Sequence, residues 1–121
     1  MPEVQDSILL TIKKLNSVVP EYTAFDNDFI VYINSGLFDL AQVGVVFTDN
    51  FHVEDENDEW DDLMAESHIR DSVKTYLALN VRLFFDPPAT SFTQQMMKDQ
   101  LAEKAWQLKA AQEDLDREEA L

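Results

Sequence analysis

The pattern of apolar positions along the chain predicts four helices. In four stretches, apolar residues recur every three or four positions, the spacing that places them on one face of a helix. Pro20 follows the first stretch and would end that helix, and Gly44 is placed as a left-handed terminator of the second. The predicted helices span residues 4–19, 26–43, about 58–85 and about 92–117, the third with a break near Ser67 and His68.

A short interruption, Asp86-Pro87-Pro88, separates the third predicted helix from the fourth. Two consecutive prolines cannot lie inside a helix, and proline favours an extended conformation for the residue before it. Ser91, with Gln94 three positions later, has the capping-box pattern that begins a helix. We therefore predict a helix, a stiff structural elbow at Asp86, Pro87 and Pro88, and a second helix antiparallel to the first.

The segment between the second and third helices is rich in β-branched and aromatic residues. The sequence therefore allows either a short β-hairpin near residues 45–53 or an extended segment packed against the helices. Such a hairpin would need helices behind it, because two strands alone are marginally stable. The predicted fold is all-α: an elongated bundle of about four helices with a long helix–Asp-Pro-Pro–helix hairpin. We predict one domain, residues 1–112, and a charged, flexible C-terminal tail, residues 113–121.

The third predicted helix carries apolar residues on more than one face. Ile69, Val73 and Leu77 lie in one stripe, whereas Leu79 and Leu83 lie off it. Such a helix is either buried in the middle of a bundle or also contacts another subunit. A helix over residues 58–85 would be roughly 40 Å long, which is long for so small a domain. This length favours an elongated subunit that completes its burial by assembly.

The composition argues against several classes of function. Among 121 residues, 24 are acidic and nine are basic, which gives a formal net charge of -15. Binding to nucleic-acid backbones or to anionic membranes needs clusters of Lys and Arg instead. The chain has no cysteine and two glycines, so we expect neither a zinc–thiolate site nor a phosphate-binding glycine loop. We expect no signal peptide and no membrane span.

Acidic residues are concentrated in one run, which we call the acidic run. Its members are Glu54, Asp55, Glu56, Asp58, Glu59, Asp61 and Asp62. Some of them suit the first turn of a helix, where the helix dipole favours negative charge. An EF-hand calcium loop is not expected, because Trp60 occupies the position that needs glycine, and His52 and His68 lack the spacing of a zinc site. We expect no enzymatic activity and no cofactor.

Five side chains are candidates for contacts with another subunit or a partner: Trp60, Arg70, Lys74, Arg82 and Trp106. Each tryptophan is either a core anchor or an interface anchor, since tryptophan is enriched at binding hot spots. The three basic residues form either the solvated face of the third helix or pairs with the acidic run of a neighbouring subunit. A head-to-tail interface needs two different complementary patches on one chain, and this sequence supplies charges of both signs.

Three segments in the second half of the chain resemble the head-tail connector proteins of tailed bacteriophages and prophages, also called head-completion or adaptor proteins. The segments are Val73-Lys74-Thr75-Tyr76, Arg82-Leu83-Phe84-Phe85-Asp86-Pro87-Pro88 and Glu103-Lys104-Ala105-Trp106-Gln107-Leu108. The first half of the chain matches that family only in the order and length of its helices.

The resemblance implies a helical subunit of a homo-oligomeric ring, expected to be a dodecamer, beneath the portal protein at the capsid vertex. The far side of the ring would receive a stopper or tail-completion protein, and DNA would pass through the channel without sequence-specific binding. The protein would lie in the neck of the virion, and in the host cytoplasm during assembly. The acidic run would face a partner or the channel, whose negative wall repels DNA phosphates. The charged tail would contact the portal.

The net charge also allows a different class of protein, an acidic inhibitor or DNA mimic that binds a nucleic-acid-binding protein. A mimic should spread carboxylates over a surface, whereas here they cluster in residues 54–62 and 113–119. The connector is therefore the leading hypothesis, and a small enzyme is the least favoured.

Overall fold

The structure is a computed structural model that describes residues 2–120. Within that range it contains five helices and no strand: α1 (Ile8–Leu15), α2 (Asp26–Gln42), α3 (Trp60–Leu63), α4 (His68–Phe85) and α5 (Ser91–Ala120). The predicted all-α fold is confirmed. The break expected near Ser67 and His68 divides the third predicted helix into α3 and α4, and the Ser67 hydroxyl caps α4 by accepting from the Arg70 N–H at 3.2 Å.

Helix α1 is shorter than predicted at both ends. Ser7 is its N-cap, because the Ser7 hydroxyl accepts from the Leu10 N–H at 3.2 Å. At the other end, the Val18 N–H bonds to the Lys13 carbonyl at 2.8 Å and Ser17 has a positive φ of 63°. This is the Schellman arrangement that terminates a helix, here with serine in the position where glycine is usual.

Helix α4 lies in the middle of the bundle, with α2 and α5 on different sides. Gly36 of α2 lies so close to α4 that an added Cβ would be 2.8 Å from Cδ2 of Leu77 and 3.1 Å from Nδ2 of Asn80. Leu79, about half a turn around α4 from Leu77, borders α5 beside Lys104. Helix α4 thus contacts both α2 and α5, which also touch each other, and α1 packs against α2 and α4.

The hydrophobic core surrounds α4. Its fully buried members include Ile8, Ile12, Phe29, Ile33, Leu40, Val73, Leu77, Val81 and Leu108. Leu79 and Leu83, which lie off the main stripe of α4, are half-buried against the same core. Of the two alternatives for this helix, the structure shows α4 in the middle of the bundle, and a contact of α4 with another subunit stays a prediction.

Of the two alternatives for residues 45–53, the β-hairpin is wrong, since no strand forms there, and the segment packs against the helices instead. Val45 and Val53 are buried in the core rather than paired with each other. The backbone of Val53 is bound by the Asn34 side chain of α2, whose Nδ2 donates to the Val53 carbonyl at 2.9 Å and whose Oδ1 accepts from the Val53 N–H at 2.8 Å. A side chain thus supplies the hydrogen bonds that we expected from a second strand.

The elbow at Asp86, Pro87 and Pro88 lies between α4 and α5, as expected. The cap of α5 is one residue earlier than predicted, because Thr90 Oγ1 accepts from the Thr93 N–H at 3.1 Å. Gln94, the expected partner in a capping box, instead donates from Nε2 to the Pro88 carbonyl at 2.8 Å. The side chain of Gln94, in the first turn of α5, therefore stabilises the elbow.

The cap assignment can be tested with two neighbouring alanine substitutions. Thr90→Ala should lower the free energy of unfolding by about 1 kcal/mol, the usual cost of losing an N-cap hydroxyl. Ser91→Ala, the matched control, should change it by less than about 0.5 kcal/mol, as expected for an exposed position without a special role. Urea denaturation followed by circular dichroism measures both, and an equal loss in the two variants would show that the cap is misassigned.

The C-terminal turns of α5 lie at the surface of the subunit, where Leu115 and Glu119 line a pocket together with Met64 and Ile69. Gln112 is the last buried residue of α5, and residues 113–120 are exposed and helical. The domain boundary at residue 112 and the flexibility of the tail stay predictions. Among residues 2–120, no helix combines the length and the apolar character that crossing a membrane requires.

Candidate interaction surfaces

The acidic run forms a loop that is held by its own carboxylates. Asp58 accepts from the backbone N–H groups of Glu54 at 2.7 Å and Asp55 at 3.1 Å. Asp62 accepts from the Glu59 N–H at 3.0 Å, at the start of α3. Short acidic side chains favour such local bonds to the backbone in turns. Part of the negative charge in this run therefore has a folding role.

The segment at the start of α1 is hydrogen-bonded to the acidic run. The Ile8 N–H donates to the Asp58 carbonyl at 3.0 Å, and the Trp60 N–H donates to the Asp6 carbonyl at 2.9 Å. The Ser7 hydroxyl donates to the Glu56 carbonyl at 2.7 Å. In the described part of the chain, no three histidine or acidic side chains are grouped so that they could hold a metal ion.

The three basic residues of the third predicted helix have different environments. Arg70 is 8% exposed, and its Nη1 lies 2.6 Å from Asp61 Oδ1 and donates to the Met64 carbonyl at 3.2 Å. Lys74 is half-buried, with Nζ 5.1 Å from the ring centre of Trp60. Arg82 is exposed. Arg70 thus pairs with the acidic run of its own subunit, and pairing of basic residues with a neighbouring subunit stays a prediction.

The two tryptophans are placed in opposite environments. Trp60 is 1% exposed, and its Nε1 donates to Thr11 Oγ1 at 3.0 Å, so it is a core anchor of the subunit. Trp106 is 67% exposed on α5. Of the two, only Trp106 presents its ring to solvent, so we keep the interface proposal for Trp106.

Trp106 belongs to a larger apolar surface, the outer α5 face, which consists of Phe92, Met96 and Trp106. All three side chains are exposed. At 3.6 residues per turn they lie on the opposite side of α5 from the buried residues Leu101 and Leu108. Asp99 and Glu103 lie on the same side of α5, so this face is a mixture of exposed apolar side chains and carboxylates.

A second apolar surface lies between α2 and residues 45–53. It is an open groove of about 580 Å³ that we call the Phe38 groove, and Phe38, Val46, Phe47 and Phe51 are among the residues that line it. Phe38 is 63% exposed at its edge, and Asp49 also lines the groove. Sequence reasoning missed this groove, because α2 and residues 45–53 are separate in the sequence and only the fold joins them.

Tyr76, in one of the segments that carry the resemblance, is a packing residue. Its side chain is buried, and burial raises the pKa of the phenol, with a further increase from the Asp39 carboxylate. The phenol is therefore neutral at physiological pH.

Comparison with known protein families identifies the chain. Residues 8–114 match the family described as phage connector protein, a range that includes both apolar surfaces, the acidic run and the elbow. The chain belongs to the phage connector protein family. The predicted resemblance to head-tail connectors is thereby supported at the level of the family, and this member is a structural connector protein of phage. No curated protein and no solved structure matches it.

Proposed function

We propose that this phage connector protein is the subunit of a homo-oligomeric ring, a dodecamer, that joins the portal protein at the capsid vertex to a stopper or tail-completion protein. The family match over residues 8–114 carries this proposal. Two exposed apolar surfaces on one small subunit support it, since exposed patches of this kind are typical of protein–protein interfaces.

In this proposal the ring surrounds a channel through which DNA passes without sequence-specific binding. The net charge of -15 supports a wall that repels phosphates, because binding to the DNA backbone requires clustered Lys and Arg. Glu54 and Asp61 of the acidic run are exposed and can face either the channel or a partner protein. The role is structural and not enzymatic.

The C-terminal end of α5 is the proposed contact with the portal. Residues 113–120 extend the helix beyond the last buried residue and are exposed along their whole length. They carry five acidic residues and one arginine, Arg117. The protein would act in the neck of the virion after assembly from the host cytoplasm.

The experiment that tests this function is co-assembly with the portal protein of the same phage. The purified chain should form a complex in which many copies bind one portal ring. Truncation after residue 112 should weaken that complex and leave the helical body folded, because the last buried residue of α5 is retained. A full-length chain that does not bind the portal would contradict the proposal.

A further inference from the structure

The outer α5 face has apolar side chains at both ends and carboxylates in the middle. Phe92 and Met96 lie at one end, and Trp106 lies at the other. Asp99 and Glu103 lie between them, and all five side chains are exposed. From Phe92 to Trp106 these residues are separated by four, three, four and three positions, the spacing of the seam of a two-helix coiled coil. At about 1.5 Å per residue the stripe is about 21 Å long, so it can pack along another helix.

The two central carboxylates lack an ionic partner in the subunit. Within residues 2–120, neither Asp99 nor Glu103 forms an ion pair. Asp99 Oδ1 accepts from the uncharged Gln95, whose Nε2 donates at 3.0 Å. Lys104 lies beside Leu79 in a cleft that Glu103 also borders, and it forms no ion pair with Glu103. Like charges four positions apart on a helix repel each other, so this pair of carboxylates does not stabilise the isolated subunit.

The acidic centre of the stripe disfavours pairing between two copies of the chain. If the outer α5 faces of two copies packed in parallel, Asp99 would face Asp99 and Glu103 would face Glu103. An antiparallel pairing centred on the stripe would place Asp99 against Glu103. Charged groups at such seam positions select the partner, because like charges across an interface oppose the wrong pairing.

The other helices of the subunit also lack the matching charges. In the described range, residues 2–120, the exposed basic side chains outside α5 are Lys14 on α1 and Arg82 on α4. Neither helix therefore presents two exposed basic residues one turn apart. On α5 itself the exposed basic residues are at least eight positions apart: Lys98, Lys109 and Arg117. A second copy thus offers no helix whose charges match those of Asp99 and Glu103.

We propose that the outer α5 face binds an amphipathic helix of a different protein, one with two basic side chains about one turn apart between apolar side chains. The rings of Phe92 and Trp106 contact the apolar ends of that helix, and its two basic groups pair with Asp99 and Glu103. Buried tryptophans supply much of the energy of many interfaces, whereas complementary charges determine which partner binds. This inference goes beyond the proposed function, which assigns the portal contact to residues 113–120.

Two designed peptides test the charge preference of the face. Both form helices of about three heptads with leucines along one stripe; one carries arginine and the other glutamate at the two central stripe positions. Fluorescence anisotropy of the labelled peptides measures their binding to the full chain. The arginine peptide should bind at least about tenfold more tightly than the glutamate peptide, and Trp106→Ala should weaken its binding by about tenfold or more. Equal binding of the two peptides, or binding of neither, would overturn the proposal.

Charge reversal separates this face from the general negative charge of the chain. Asp99→Lys combined with Glu103→Lys should reverse the preference, so that the glutamate peptide binds more tightly. The matched control, Glu21→Lys combined with Asp49→Lys, changes the net charge by the same amount elsewhere and should keep the preference for arginine. All four positions are exposed, so circular dichroism should show unchanged helix content in both variants. If both variants lose the preference equally, the attraction is not specific to the outer α5 face and the proposal is wrong.

Sedimentation velocity tests whether a second copy occupies the face instead. Trp106→Ala should leave the self-association of the chain unchanged, and its loss in this variant would overturn the proposal. The proposed function fails or stands separately. If the chain assembles on the portal but shows no charge preference between the peptides, the surface is misassigned and the connector function stands. If the preference is observed but the chain never binds the portal, the surface is correct and the proposed function is wrong.

Discussion

Replacing Trp60 with alanine should lower the free energy of unfolding by about 3–5 kcal/mol, the range for truncating a large aromatic side chain in a core. The ring is fully buried, and its Nε1 donates to Thr11 Oγ1, so the substitution removes packing and leaves the hydroxyl without its donor. Because small domains are stable by about 5–15 kcal/mol, a loss of this size brings the subunit close to unfolding.

Trp106→Ala is the matched control for Trp60→Ala, since both remove the same side chain. It should change the free energy of unfolding by less than about 0.5 kcal/mol, because its ring contacts mainly solvent in the isolated subunit. Urea denaturation of the monomeric subunit, followed by circular dichroism, measures the free energy of unfolding of both variants. Equal losses would contradict the assignment of Trp60 to the core and Trp106 to the surface.

Replacing Asp26 with asparagine should lower the free energy of unfolding by about 2–4 kcal/mol, because removing one partner of a buried ion pair leaves the other uncompensated. The side chain of Lys13 is 1% exposed, with Nζ 2.8 Å from Asp26 Oδ1 and 3.0 Å from the Pro20 carbonyl. Asp26 is 27% exposed and can reach water. Most of the loss in stability therefore comes from the buried ammonium group of Lys13, which is left without its counter-ion. The ion pair between Lys13 and Asp26 links α1 to the first residue of α2.

Two variants separate the ion pair from other effects of the Asp26 charge. Asp28→Asn removes another carboxylate from the first turn of α2 and should cost only about 0.3–1 kcal/mol, the contribution of the helix dipole. Lys13→Met combined with Asp26→Asn should recover most of the loss, because no buried charge remains. Urea denaturation at low ionic strength measures all three variants. If Asp26→Asn lowers the free energy of unfolding no more than Asp28→Asn does, the buried pair does not stabilise the fold.

The helices could be predicted from the sequence because their apolar periodicity is local. The break before α4, the elbow at Pro87 and Pro88, and the left-handed Gly44 all depend on residues a few positions apart. For residues 45–53 the sequence left a β-hairpin and an extended segment open, because the contacts that decide between them are not local. The backbone partner of Val53 is Asn34, a side chain 19 positions away on α2, and no local pattern indicates that pairing.

The candidate surfaces were predictable only in part. The helical spacing of α5 places Trp106 away from Leu101 and Leu108, so its exposure could be expected from the sequence. The local sequence did not decide whether Trp60 is buried, because its environment is formed by Thr11 from α1 and by Lys74 from α4. Likewise, the pairing of Arg70 with Asp61 within one subunit required the turn between α3 and α4.

The central claim is that this chain is a ring subunit at the portal vertex, and image averaging of the chain mixed with purified portal tests it most directly. The account predicts a ring of identical copies stacked coaxially on the portal. A chain that stays monomeric at high concentration, with the portal ring unoccupied, would contradict it.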